Sequence, residues 1–326
     1  MFWKKRKDDS LSEKGNERRR LLRGAAGVTA GLGLGLFSTS VASGERSPVY
    51  EVESVYELGG RKLQDKIEEY INKDQTYREV QNIERTGVVV FGLESESFLV
   101  QVNEYADLQA ASMIKPFIVL AFLCLSHRGK DKYKLDFGEV SQDHINKCIR
   151  DSDNKSTNWL MEECGKALDM GGLTSPLAVS LILKEYFPDI AKLVDIVEFI
   201  PDNGRTYKNK AQPRAYSKLL YSLVKNQDPE FQILRSAMEL DSKYDRLYQP
   251  NDGGKVLFNK TGSTSRANGD FGVVETKSGK RYIIAIMIDR TERYPDALGG
   301  YSKWQDDVGG KVVQNISKLV YEYIES

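Results

Sequence analysis

The stretch "AASMIKPFIV" (residues 110–119) sets a serine and a lysine three positions apart at the head of an apolar run. On a helix, residues i and i+3 share a face with Cβ atoms about 5–6 Å apart, so the Lys115 ammonium can reach the Ser112 hydroxyl. A serine hydroxyl is a weak nucleophile until a neighbouring base takes its proton. Lysine serves as that base where burial and nearby cations depress its pKa. The pattern does not decide the matter alone, because Ser152–Lys155 and Ser222–Lys225 repeat it. What surrounds Ser112 decides.

Upstream, "RKLQDKIEEYINK" (61–73) has helical periodicity, and "TGVVVFGLES" and "SFLVQVNEY" read as two strands joined by a polar turn. From about residue 108 to 245 the chain is mostly helical, in "SMIKPFIVLAFLCL", "STNWLMEECGKALD", "LAVSLILKEYF", "PRAYSKLLYSLVKN" and "PEFQILRSAMEL". Strand character returns in "KVLFNKTG", "GDFGVVET" and "KRYIIAIMIDR", and "DDVGGKVVQNISKLVYEYIES" closes as an amphipathic helix. This order predicts an α+β fold. Two early and three late strands form one antiparallel five-stranded sheet, with the first and last helices on one face and an all-α lobe beside it. The expected catalytic domain is 44–326, with an α/β lobe at about 60–110 and 250–326 and an α lobe at about 111–249. The seam between the lobes is the natural place for a pocket.

Composition bounds the function. The chain of 326 residues is 40% hydrophobic and 29% charged, which excludes a disordered chain and a multi-span membrane protein. Zero net charge hides an asymmetry: residues 1–43 carry +5 and the remainder −5. A mildly acidic body without a basic stripe argues against nucleic-acid binding. The basic start is followed by a weakly apolar, glycine-rich run of roughly 18 residues and then Val41-Ala42-Ser43, as in a cleavable export signal. Arg18-Arg19 gives it a twin-arginine character. The expectation is export to the periplasm or the exterior, with membrane association only if this segment is retained, and a monomer. Three cysteines, Cys124, Cys148 and Cys164, are read as buried free thiols. No metal-ligand spacing occurs, and neither a metal nor a cofactor is expected. Neither of the two histidines, His127 and His144, stands in a nucleophile context.

Two further stretches supply what an activated serine needs. "SDNKSTNWL" (152–160) places Ser152, Asp153 and Asn154 at a turn before a helix. There a hydroxyl can relay a proton and an amide can hold a substrate amide. "FNKTGSTS" (258–265) places Lys260, Thr261 and Gly262 on a strand: a second cation, a hydroxyl, and a glycine where close backbone approach is wanted.

Ser-x-x-Lys, Ser-Asp-Asn and Lys-Thr-Gly, in this order, resemble the three signatures of the penicillin-recognising serine enzymes. The resemblance is especially to class A β-lactamases and their penicillin-binding-protein relatives, over about residues 60–326. That resemblance implies Ser112 as the acylated nucleophile and Lys115 as its activating partner. It implies Ser152 and Lys260 as a proton-relay pair, and Asn154 as the holder of the substrate amide. Thr261 and Ser263 would bind the substrate carboxylate beside Gly262, and the backbone N–H groups of Ser112 and Ser263 would form the oxyanion hole. The implied ligand is a small-molecule β-lactam or a peptidoglycan stem peptide. The first reading is β-lactam hydrolysis. The alternatives are a D-Ala-D-Ala carboxypeptidase or transpeptidase and a non-catalytic sensor.

The chain departs from the family pattern twice. Only 40 positions separate Ser112 from Ser152, so one wall of the pocket mouth is abbreviated. Class A β-lactamases also carry a glutamate, followed by Leu-Asn, that activates the deacylating water. Here the candidate is Glu198, followed by Phe199-Ile200-Pro201-Asp202. Arg205, nearby, is an expected partner for an acid.

Overall fold

The computed structural model describes residues 58–73, 83–203, 208–239 and 245–326. The expected export signal and Arg205 lie outside them. In chain order the strands are β1 (Ile83–Gly92), β2 (Ser97–Val102), β3 (Leu108–Gln109), β4 (Val194–Asp195), β5 (Lys210–Ala211), β6 (Lys255–Ser263), β7 (Ala267–Glu275) and β8 (Arg281–Arg290). Five of them form the main sheet in the order β2-β1-β8-β7-β6, every pairing antiparallel. The expected sheet is the one found.

Successive strand residues point to opposite faces. The unbroken apolar run of β8 therefore needs cover on both sides. Ile283, Ala285 and Met287 enter one core, while Tyr282, Ile284, Ile286 and Ile288 enter the other. Helices α1 (Leu58–Lys73) and α8 (Gly309–Glu325) cover the second face through Leu63, Ile67, Val312, Ile316 and Val320. The first face is covered by the helical region: α2 (Lys115–His127), α3 (Glu139–Ile149), α4 (Asn154–Ala167), α5 (Ser175–Tyr186), α6 (Pro213–Lys225) and α7 (Pro229–Met238).

Helix α2 explains the burial of the site. Every residue from Lys115 to Ser126 is buried, as expected of a helix apolar on all sides. Each fully buried Phe, Leu or Ile there contributes about 1.5–3 kcal/mol. Pro116 sits in its first turn, where a missing N–H costs nothing. Lys115 is carried into the core by this helix.

Two features differ from the sequence expectation. Helix α3 is absent from the helical segments read in the sequence; only Ser141, Ile145, Cys148 and Ile149 are buried, a helical stripe too thin to stand out. Strands β3, β5 and β4 form a second, three-stranded sheet. Two-residue strands carry no readable alternation. All three cysteines are free and buried, matching the expectation for them.

Candidate active site

The site is assembled where the turn before α2, the turn before α4 and strand β6 meet. Ser112 lies in a single 3-10 turn, Ala111–Ile114, that leads directly into α2. Ala111 has φ 46°, a left-handed conformation that costs a residue with a Cβ about 1–2 kcal/mol. Ser112 is half-buried between buried neighbours.

Gly262 accounts for the closeness of β6. A Cβ built on it would lie 2.9 Å from Ser112 N and 2.6 Å from Met113 N. Only a glycine lets the strand run against the backbone of the serine turn. Lys-Thr-Gly is therefore read here as geometry as well as chemistry.

Lys115 is 0% exposed, and its Nζ donates to three acceptors. These are Ser152 O at 2.5 Å, Ser152 Oγ at 3.3 Å and Asn154 Oδ1 at 3.0 Å. Ser152 has φ 55°, a second left-handed residue, and presents both its carbonyl and its hydroxyl to the lysine. Asp153 caps α4 by accepting from Ser156 N at 2.6 Å, which holds the Ser152 turn in place. From strand β6, Lys260 Nζ donates to the same Ser152 Oγ at 3.1 Å and to Thr261 O at 3.0 Å. Two buried ammonium groups thus meet on one hydroxyl.

Their electrostatics follow. Burial lowers the pKa of Lys115 to about 8. Burial, followed by the charge of Lys115, lowers that of Lys260 to about 7. Both amines are poised to exchange protons near neutral pH. Because both can donate to Ser152 Oγ, the Ser152 hydroxyl hydrogen is free to point elsewhere.

Asn154 also reaches the loop that follows β4: its Nδ2 donates to Pro201 O at 3.2 Å. One turn further along α4, Asn158 grips the preceding residue with both ends of its amide. Its Nδ2 donates to Ile200 O at 2.7 Å, and its Oδ1 accepts from Ile200 N at 2.9 Å. The loop residues locked onto the site are therefore Ile200, which is buried, and Pro201. Glu198 is directed to its own loop: Oε1 accepts from Lys208 N at 2.9 Å and Oε2 lies 3.7 Å from Lys208 Nζ. Its backbone N–H donates to Asn209 Oδ1 at 3.1 Å, and its carbonyl accepts from Asn209 Nδ2 at 2.9 Å.

At the other end of β6, Ser263 Oγ lies 2.8 Å from Tyr301 OH and accepts from Arg246 Nη2 at 3.4 Å. Arg246 is placed by Asp270, which accepts from the backbone N–H of Arg246 at 2.9 Å and of Leu247 at 3.0 Å. Burial raises the pKa of Asp270 to about 6.

The structure thus joins Lys115, Ser152, Asn154 and Lys260 through hydrogen bonds, and sets Gly262 against Ser112. Ser263 stands on β6 beside Arg246, and Thr261 is buried on that strand. The sequence reading missed Asn158, Ile200, Arg246 and Tyr301. Asn158 follows Asn154 by four positions, a signal that one face of a helix carried both. The histidines are engaged in packing: His144 stacks on Trp159 with ring centres 4.1 Å apart, and His127 Nδ1 lies 3.2 Å from Ser126 Oγ.

Comparison with known proteins agrees with this architecture. The chain belongs to the beta-lactamase enzyme family, whose sequence model matches residues 140–324. It is similar in structure to the TLA-1 extended-spectrum beta-lactamase, with a TM-score of 0.61 at 22% identity, covering 82% of this chain and 100% of that one. It is similar also to PBP-A, with a TM-score of 0.60 at 20% identity over 83% of this chain and 98% of that one. A class A beta-lactamase from Bacteroides cellulosilyticus gives a TM-score of 0.60 at 18% identity over 82% and 98% of the two chains. At these identities the likeness establishes the β-lactamase/transpeptidase-like fold. No curated protein sequence matches the chain.

Proposed function

We propose that this protein is a serine acyl-enzyme of the penicillin-binding type, in which Ser112 is acylated by β-lactams and by peptides ending in D-Ala-D-Ala. The neutral Lys115 amine would take the Ser112 proton as the hydroxyl attacks the carbonyl. Backbone N–H groups of Ser112 and Ser263 would hold the oxyanion. Ser152 would give its proton to the departing nitrogen and regain one through Lys260. Arg246 and Ser263 would receive the ligand's carboxylate.

The observation that carries the finer reading is the double hydrogen bond from Asn158 to Ile200. It fixes an apolar residue next to Pro201, where the loop meets Asn154, and among the described residues the Lys115 ammonium donates to Ser152 and Asn154. A positioned general base contributes typically about 10²–10⁴ in rate, and the Glu198 carboxylate, the candidate for that part, is engaged by Lys208. A β-lactam keeps its leaving nitrogen tethered to the acyl group, so its acyl-enzyme would persist. A peptide loses its terminal D-alanine, which opens a path for water or an amine with Lys115 and Ser152 as proton acceptors. Similar structures include a PBP-A variant described as an acyl-enzyme complex with penicillin-G, with a TM-score of 0.60 at 20% identity over 81% and 97% of the two chains.

Membership of the beta-lactamase family favours a second reading, turnover of β-lactams. Release of D-alanine from an acyl-D-Ala-D-Ala peptide separates the two. The proposal expects release by the unmutated protein and none by Ser112→Ala. A protein that consumes penicillin catalytically and leaves the peptide intact would support the second reading. We place the reaction outside the cytoplasm, on the strength of the Arg18-Arg19 segment.

A further inference from the structure

We propose that Tyr301 selects ligands bearing a free carboxylate, its phenol acting beside Ser263 and Arg246 as a third donor to that group; this rests on the Ser112 acyl-enzyme reading above. Arg246 is 7% exposed. Among the described residues, no carboxylate oxygen lies within ion-pair distance of its guanidinium. Its two hydrogen bonds, to Ser263 Oγ and Gln305 O, are both long at 3.4 Å. A buried guanidinium has five N–H donors to satisfy, and Asp270, which acts on it through space, accepts from its backbone N–H rather than from its side chain. The side chain is thus set for an anion the ligand brings.

The anion has a defined place. Ser263 Oγ stands between Arg246 Nη2 and Tyr301 OH, and the second contact is the shorter, at 2.8 Å. Tyr301 is 45% exposed, an unusual position for a large aromatic with its oxygen pinned to a strand. It is lifted there by Gly299 and Gly300, which have φ 106° and 60°. A Cβ on Gly299 would lie 2.9 Å from the Lys303 side chain, so residues with side chains do not fit that turn. The same segment supplies Gln305 O to Arg246, which ties the phenol and the guanidinium to one piece of backbone. A guanidinium, a hydroxyl and a phenol gathered at Ser263 fit the two oxygens of a carboxylate.

The test compares Ser112 acylation by benzylpenicillin and by its methyl ester, which differ only at the carboxylate, in the unmutated protein and in Tyr301→Phe. The phenylalanine keeps the ring and removes the oxygen. The second-order acylation rate for the acid should fall about tenfold, the loss of one charge-assisted hydrogen bond, while the ester's rate stays within about twofold. Equal slowing of acid and ester would assign Tyr301 a purely structural role and overturn the inference, as would no slowing of either. Failure of both compounds to label the unmutated protein would overturn the Ser112 reading itself, a result distinct from the other two.

Discussion

Asn158 holds the backbone of Ile200 from both sides, donating to its carbonyl at 2.7 Å and accepting from its N–H at 2.9 Å. The grip fixes the loop beside Asn154, which donates to Pro201 O and accepts from Lys115 Nζ. On the proposed reading, acylation and deacylation are separated: Lys115 would serve the first, and the second would go slowly for a tethered leaving group.

Ile200→Glu should therefore add what is missing. If the carboxylate enters the position held by Asn158, penicillin turnover should rise by about 10²-fold or more, in line with a positioned general base. Spectrophotometric loss of the β-lactam ring measures it. An unchanged rate in a folded variant would show that residue 200 does not face the acyl group.

The lysine pair sets the pH dependence. On the proposed reading Lys115 accepts the Ser112 proton and must be neutral to do so, and burial lowers its pKa to about 8. The acylation rate should therefore climb between about pH 6 and 8 and level off above. Stopped-flow acylation by a chromogenic cephalosporin gives the profile. A rate that falls over this range would exclude a lysine base.

Burying Lys115 also costs stability. Its folded pKa of about 8 lies below its ordinary 10.5, so between those values the unfolded chain binds more protons and stability rises with pH. Lys115→Met should abolish acylation and stabilise the fold by about 1–3 kcal/mol at pH 7, since the apolar chain removes a buried cation. Urea unfolding of the two proteins measures the difference. A destabilised variant would contradict the electrostatic account.

Gly262 is the point of closest approach between β6 and the serine turn. Gly262→Ala should push the two apart, cost about 1–3 kcal/mol as overpacking does, and slow acylation by more than its effect on folding explains. Thermal unfolding together with the acylation rate distinguishes the two effects.

Much of this was legible in the residues. Ser112–Lys115, Ser152–Asn154 and Lys260–Gly262 stand in short motifs, and the five long strands announce themselves by apolar runs such as "RYIIAIMIDR". The remainder depends on distances no local pattern encodes. Ile200 matters only because a helix 42 positions away grips it, and a nearby glutamate, Glu198, made the more obvious candidate. Tyr301 meets Ser263 across 38 positions. Arg246 reaches the same hydroxyl from a loop without periodicity. Helix α3 was missed because its buried stripe is narrow and includes a serine.

The central claim is that Ser112 is acylated and that a β-lactam adduct then stays. Intact mass spectrometry of the protein mixed with benzylpenicillin, followed from seconds to hours, tests it most directly. The account predicts one adduct of penicillin mass, absent in Ser112→Ala, that persists for hours after free drug is removed. An adduct that clears within minutes while penicillin is consumed would contradict it, and so would labelling that survives in Ser112→Ala.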